Sequence, residues 1–363
     1  MDDWLIDDDR LSIGRKSALP GEGFFIPDSY EEEQAEAEAA ETLDDAGVIV
    51  IADPDADGLA CTALIREAHG EGALLPAGPH ELTEALEWTA EYADPGATVF
   101  VCDLCPDRES DIAPLGSLVD TAQRVVWFDH HQWPDDLADD VDAAGVERTV
   151  GDSDEVCTAD VALSELDYDF DDQWADLAAV TRDHDLWIRD DPRSDDLADL
   201  SYWSEPEEYI EAVRDHGPDL SPEYHDFLDE KRVEKEALIE KAVERAELRE
   251  VGEWTVGVTY GRCSQNEVAE ALREQGADAA VIVKPAGSAS IRGTENFERA
   301  HEVAQQVNGG GHPKAAGCKP DIYDDMMDYA HHWTTQGAVA KQAIVDAFRR
   351  LPEEGEEGVD TDR

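Results

Sequence analysis

Three aspartates stand at alternate positions in "VIVIADPDADG": Asp53, Asp55 and Asp57, with Gly58 directly after. Carboxylates gathered this closely in a cleft repel one another, on the order of several kcal/mol, unless a cation neutralises them. The spacing also matches the first half of a calcium-binding EF-hand loop. That loop needs a bidentate glutamate at its twelfth position and a helix ahead of it. This chain has Leu64 and a β-branched run at those places, which removes the EF-hand reading.

Two more apolar runs end in groups able to hold a metal: "ATVFVCD" in Asp103, and "RVVWFDHH" in Asp129, His130 and His131. Such runs have to be positioned by a common frame. "GVIVIAD", "GALLPAG", "ATVFVCD" and "RVVWFDH" read as strands, apolar on both faces and separated by helical patterns, so they predict a parallel sheet covered on both sides. In an open parallel sheet the carboxyl ends of neighbouring strands line one crevice. An oxygen-rich cluster there with one or two imidazoles suits a hard or borderline divalent ion such as Mn²⁺ or Mg²⁺, and two ions if enough ligands gather.

The chain has 363 residues, enough for two ordinary domains. Its 28 Lys+Arg against 89 Asp+Glu give a formal charge of −61, which excludes a generic nucleic-acid-coating protein. Acidity spread over the whole surface is the pattern of proteins kept soluble in concentrated salt. At molar salt the Debye length is about 3 Å, so the global charge does not forbid an anionic substrate. The opening "MDDWLIDDDR" carries no basic-plus-apolar signal and no apolar run approaches a membrane span, so a cytoplasmic protein without membrane contact is expected. Six scattered cysteines suggest no disulfide framework; Cys102 and Cys105 form a lone CxxC that reads better as small apolar side chains than as zinc ligands.

The expected organisation is an acidic N-terminal extension over 1–45, a parallel-sheet domain over 46–205, a helical linker over 206–250, a smaller α/β domain over 251–350 and a disordered tail over 351–363. The linker is read from "SPEYHDFLDEKRVEKEALIEKAVERAELRE", with Ser221 as N-cap and Pro222 at the first helical position. "WTVGVTY", "SQNEVAEALREQ", "DAAVIVKP" and "SASIRG" supply strand, helix, strand and strand to the smaller domain.

"DPDADG", the aspartate of "VFVCD", "DHH" at Asp129 to His131 and "NGGGHPKAAG" from Asn308, in this order and spacing, resemble the DHH phosphoesterase superfamily of RecJ-like exonucleases, nanoRNases, polyphosphatases and cyclic-dinucleotide hydrolases. The resemblance runs from about Gly47 to Pro320. It implies that Asp55 and Asp57 bind two metals, that Asp103 bridges them and that His130 completes one shell. A further aspartate is expected from "AVTRDHDLW": Asp183 is preferred to Asp185 because Trp187 lies four positions beyond it. Asp53 joins the candidate ligands, since Ile51 stands where polyphosphatase-like members carry a metal-binding histidine and the aspartate two residues later is RecJ-like. Asp129 would orient the two histidines and His131 would face the substrate phosphate, while "SDEVCTADVALSEL" resembles the helix after the DHH turn, with Thr158 as its N-cap.

The resemblance further implies a DHH-associated substrate-binding domain. Its glycines, Gly309, Gly310 and Gly311, would adopt φ > 0 and form an anion nest, with Asn308, His312 and Lys314 adding donors. Ser290 and Arg292 of "SASIRG" would hold phosphate, the guanidinium as a planar fork; Arg292, Lys314 and Lys319 form a local cationic cluster. Trp133 and Trp187 are candidates for base stacking. The implied reaction is two-metal phosphodiester hydrolysis, with Mn²⁺ expected ahead of Mg²⁺, His131 and Arg292 stabilising charge on the phosphate, and single-stranded nucleic acid or short oligonucleotides as substrate. Two other readings stay open: a small-substrate phosphoesterase acting on a cyclic dinucleotide, nucleoside bisphosphate or polyphosphate, and a non-catalytic scaffold in replication or repair. Polarity, DNA against RNA and oligomeric state leave no mark in the residues.

Overall fold

Alternate residues of the first apolar run serve opposite faces of one sheet. Ile49 and Ile51 belong to a core with Leu82, Leu86 and Leu118, whereas Val50 and Ala52 belong to a second core with Leu59, Ala63 and Leu177. Burial on both sides is what removes the polar alternation from the sequence. The computed structural model describes residues 28–79, 81–323 and 326–351. Among these the chain divides into two compact units, Ser29–Lys231 and 232–351.

The first unit is built on five strands: β1 (Val48–Ala52), β2 (Ala73–Pro76), β3 (Thr98–Cys102), β4 (Arg124–Asp129) and β5 (Glu147–Val150). All pair in parallel, in the order β2-β1-β3-β4-β5, with Val50 opposite Phe100 and Phe100 opposite Val126. The expected parallel, doubly covered sheet is therefore present. The chain leaves β1 towards β2 on one side, and β3 lies on the other. The crevice of this order thus opens at the carboxyl ends of β1 and β3. β5, "ERTV", was not among the expected strands; it is a partly exposed edge with a single aliphatic residue.

Three expected boundaries shift. The helix Asp28–Leu43 sends Ala39 and Leu43 into the core with Ile49, so this part of the acidic extension belongs to the first unit, and residues 1–27 lie outside the described residues. The helix Pro206–His216 buries Tyr209, Ile210 and Val213 beside Leu59, so the unit runs past residue 205. The helix Pro222–Glu244 does begin after Ser221, whose Oγ accepts the Tyr224 N–H at 3.4 Å, but the expected linker then turns into a strand. The expected disordered tail lies, beyond Leu351, outside the described residues.

The second unit holds a mixed sheet of β6 (Glu247–Val251), β7 (Trp254–Tyr260), β8 (Ala279–Val283), β9 (Ala289–Gly293), β10 (Gly309–Gly311) and β11 (Ala315–Cys318). The order is β10-β11-β9-β8-β7-β6, parallel only between β7 and β8. One face packs with the helices Ala300–Gln305 and Ala338–Arg349, the other with the helix Gln265–Glu274 through Val268, Ala269 and Leu272. Among the described residues no helix is long and apolar enough to cross a membrane.

Candidate metal centre

Asp55 is the N-cap of the helix Ala56–His69: its Oδ1 accepts the N–H of Asp57 at 2.9 Å and of Gly58 at 3.2 Å. Gly58 is required, because a Cβ there would stand 2.2 Å from the Asp53 carbonyl oxygen. The aspartate-glycine spacing thus serves a strand-to-helix turn packed against its own backbone. The turn leaves Asp57 1 % exposed, Asp53 half-buried and Asp55 at the surface.

Asp103 follows β3 with φ 58°, an unusual value for a non-glycine residue. Its N–H donates to the Phe128 carbonyl at 3.1 Å and its carboxylate is buried. At the end of β4, Asp129 is fully buried and collects donors: Oδ1 accepts the His130 N–H at 2.9 Å and His131 Nδ1 at 2.8 Å, and Oδ2 accepts Trp133 Nε1 at 2.6 Å. Asp129 thus holds the His131 ring and the backbone N–H of His130. Trp133 is held by this bond, by an edge contact with Trp127 and by Arg148 over its ring, which gives it a structural role in place of an open stacking surface.

His130 Nδ1 lies 3.0 Å from the Val156 carbonyl oxygen, an acceptor, so this nitrogen carries a proton and Nε2 is the atom turned towards the acids. Nε2 stands 3.4 Å from Asp185 Oδ2 and 3.8 Å from Asp103 Oδ1. Two groups of ligand atoms result, each within 4.8 Å of one another: Asp57, His130 and Asp185, and Asp103, His130 and His131. Neither group contains Asp53 or Asp55.

Asp183, the expected fourth aspartate, is placed elsewhere. Its Oδ1 accepts the Asp190 N–H at 3.0 Å, and its Oδ2 accepts the Asp191 N–H at 3.1 Å and the Ser194 hydroxyl at 2.7 Å. It pins the loop after its helix, where Trp187 and Arg189 both have positive φ. The competitor, Asp185, faces the cluster, and its buried Oδ2 has no hydrogen-bond partner.

Electrostatics reports the same imbalance. Burial, followed by the charges of Asp57 and Asp55, pushes the Asp185 carboxyl up to about 8. Burial first, then the same neighbours, raises Asp103 well above the usual carboxylate range. Burial also raises Asp57, although His130 and two backbone N–H groups pull the other way. For His131 burial favours the neutral ring, yet the Asp129 carboxylate overrides it and carries the imidazole up to about 9. Buried carboxyls raised together, one of them with an oxygen that has no hydrogen-bond partner, beside a histidine whose Nε2 faces them, form a donor set that fits divalent cations.

Thr158 was expected as an N-cap but is the first helical residue, after Cys157. In the second unit, Ser290 and Arg292 lie on the face of the helix Gln265–Glu274. The Ser290 hydroxyl bonds to Gln265 Oε1, and Arg292 Nε donates to Asn266 Oδ1 at 2.9 Å. Gln265 and Asn266 were read only as the start of a helix; two uncharged polar residues opening a helix in so acidic a chain were the available signal. The glycine run does not form the expected nest. Only Gly311 has a positive φ, 131°, and the three glycines form edge strand β10, where a Cβ on Gly309 would meet the Gly317 carbonyl oxygen at 2.1 Å. His312 and Ala315 exchange both backbone bonds, so by ladder alternation the N–H groups of Gly309 and Gly311 face the outer edge. Asn308 has φ 59° and its amide donates to the Lys319 carbonyl, while exposed Lys314 pairs with Glu298 at 3.1 Å.

No family model matches the chain, and no curated protein does. Solved structures do match. A manganese-bound RecJ exonuclease aligns over 94 % of this chain and 98 % of its own, at 18 % identity and TM-score 0.54. A DHH domain from a protein described as a member of a family of ribosomal proteins aligns over 93 % and 96 %, at 13 % identity and TM-score 0.59. RecJ from Thermus thermophilus in complex with Mn²⁺ aligns over 88 % of this chain and 55 % of its own, at 18 % identity and TM-score 0.54. At these identities the likeness is one of architecture, and by it the chain has the fold of RecJ and of DHH domains.

Proposed function

We propose that the chain is a two-metal phosphodiesterase of the DHH superfamily, acting on single-stranded nucleic acid or short oligonucleotides. The observation that carries this reading is the gathering of Asp57, Asp103 and Asp185 around His130, with an Asp185 Oδ2 that has no hydrogen-bond partner. These four residues, with Asp53 and Asp55, would hold two divalent ions, Mn²⁺ or Mg²⁺. When bound, such ions polarise a phosphoryl oxygen and bring the pKa of water near neutrality.

The chain's own groups supply the rest. The Val156 carbonyl takes the hydrogen bond of His130 Nδ1, which leaves Nε2 as the ring atom that faces the cluster. Asp129 keeps His131 cationic and aimed, ready to stabilise negative charge growing on the phosphate. In the second unit, desolvation and the neighbouring Arg273 depress the Arg292 guanidinium, and no carboxylate pairs with it among the described residues. In a chain with three acids for every base, a desolvated guanidinium left without an acid favours a phosphate of the substrate. The outward N–H groups of Gly309 and Gly311 would add neutral donors.

The test is hydrolysis by purified protein in high-salt buffer with Mn²⁺, comparing a long labelled single strand, a dinucleotide and a cyclic dinucleotide, with Asp103→Ala as control. Ladder-like shortening of the long strand, lost in the variant, is the expected result. Cleavage of only the small substrates would replace the nuclease by a small-substrate phosphoesterase. No variant-sensitive activity on any of them would leave a non-catalytic scaffold.

A further inference from the structure

The helix Thr158–Glu165 meets the carboxylate cluster end-on, and its first two residues touch two of the acids at once. The N–H of Thr158 donates to Asp57 Oδ2 at 2.7 Å and the N–H of Ala159 to Asp57 Oδ1 at 2.8 Å. The Thr158 hydroxyl donates to Asp103 Oδ1 at 3.0 Å, the one hydrogen bond received by that carboxylate among the described residues. Thr158 is 0 % exposed, so water does not compete for the hydroxyl. Asp57 lies in the first turn of the helix after β1 and Asp103 directly follows β3, and a single residue spans them.

We propose that Thr158 is a positioning residue for the metal pair, a role that rests on the metal reading above. Its hydroxyl occupies one lone pair of Asp103 Oδ1 and thereby sets the rotation of the carboxylate. Its backbone, with that of Ala159, fixes both oxygens of Asp57. The remaining lone pairs of the two acids are then held at one mutual angle, before any cation arrives. Asp103 gains most from this restraint, because its left-handed backbone permits few alternatives and, among the described residues, no other hydrogen bond reaches its side chain. Outer groups that orient metal ligands act in this way.

The residue types separate hydroxyl from packing. Valine keeps the branched shape and the backbone bonds to Asp57 but presents a methyl group to Asp103. Serine keeps the hydroxyl and loses the methyl. The experiment is a titration of the full chain with Mn²⁺, read by the electron paramagnetic resonance of the free ion, with unfolding in chelator as the control for folding. Thr158→Val is expected to weaken Mn²⁺ binding about 10–100-fold while unfolding in chelator stays close to that of the parent. Thr158→Ser is expected to restore most of the affinity. If the valine variant does not fold, Thr158→Ala takes its place with the same expectation. Parent-like affinity in the valine or alanine variant overturns the proposal, and so does a serine variant as weak as the valine one. A parent chain that binds no Mn²⁺ overturns the metal reading and this role with it, whereas a parent that binds and a valine variant that binds equally well overturns this role alone.

Discussion

Replacing Asp185 and Asp183 in turn by asparagine separates the two aspartates that the sequence leaves in competition. In Asp185→Asn, the cluster loses an anionic donor whose Oδ2 stands 3.4 Å from His130 Nε2. Removing an outer partner of a ligand already costs about 10–100-fold, so loss of the ligand itself should weaken Mn²⁺ binding by at least about 100-fold. The metal-free fold should not suffer. The Asp185 carboxyl titrates at about 8, so near neutral pH it is largely protonated when folded and ionised when unfolded, and ionisation therefore favours unfolding. A neutral amide removes that penalty, and the unfolding temperature in chelator should hold or rise. Asp183→Asn has the opposite signature. Asp183 accepts three hydrogen bonds, and an amide with one acceptor oxygen forfeits at least one of them, at about 1.5–3 kcal/mol for a bond to a charged group. For a domain of this size that lowers the unfolding midpoint by roughly 3–12 °C. Below that midpoint its Mn²⁺ affinity should match the parent. Mn²⁺ titration and thermal unfolding in chelator, run on both variants, give the comparison. A folded Asp183→Asn that no longer binds Mn²⁺, beside an Asp185→Asn that does, would refute the placement of the cluster.

Arg292→Ala removes the guanidinium that Asn266 aligns, and if it grips a substrate phosphate, kcat/KM on the preferred substrate should fall about 10–150-fold, the equivalent of one charged hydrogen bond of about 1.5–3 kcal/mol, with Mn²⁺ binding unchanged; an unchanged kcat/KM would remove Arg292 from the substrate site. Gly309→Ala should lower the unfolding midpoint, since its Cβ would meet the Gly317 carbonyl oxygen at 2.1 Å, whereas Gly310→Ala, with nothing within 4 Å of its Cβ, should not; equal effects in calorimetry would contradict the β10–β11 pairing. Burial, only partly offset by the Lys284 carbonyl, holds the His332 imidazole below 6.5. The neutral ring is therefore favoured when folded, its contribution is present above pH 6.5, and it fades as pH falls and the unfolded chain takes up the proton. His332→Gln should flatten the loss of stability below pH 6.5 seen in urea unfolding, and parallel pH profiles would refute the assignment.

The parts of the structure that could be read from the residues are those governed by burial on two sides. β1, β3 and β4 are unbroken apolar runs because both faces of each are covered, and each ends abruptly in acids that the carboxyl end of a parallel sheet brings together. β5 escapes the same reading because an edge strand tolerates Glu147, Arg148 and Thr149. Asp183 and Asp185 lie on one helix about 200° apart, so choosing between them requires the phase of the helix, which Trp187 does not report. The glycines from Gly309 are equally ambiguous: close backbone approach explains them whether the neighbour is a phosphate or strand β11, and the ladder is what they serve. Thr158 next to Asp103 is a contact across 55 residues, and no local pattern encodes it.

The bond from Thr158 to Asp57 spans 101 residues of chain, and this separation bears on how the protein is made. During synthesis at about 5–20 residues per second, the acids at 53–57 emerge several seconds or more before the helix that holds them. Throughout that interval they are repelling carboxylates without N–H partners, and the long loop must close before its contacts repay the entropy of closure. Closing that loop brings the helix and the acids of the cluster together. A nascent chain that stops short of Thr158 carries the acidic motif without the two N–H groups that Thr158 and Ala159 bring to Asp57.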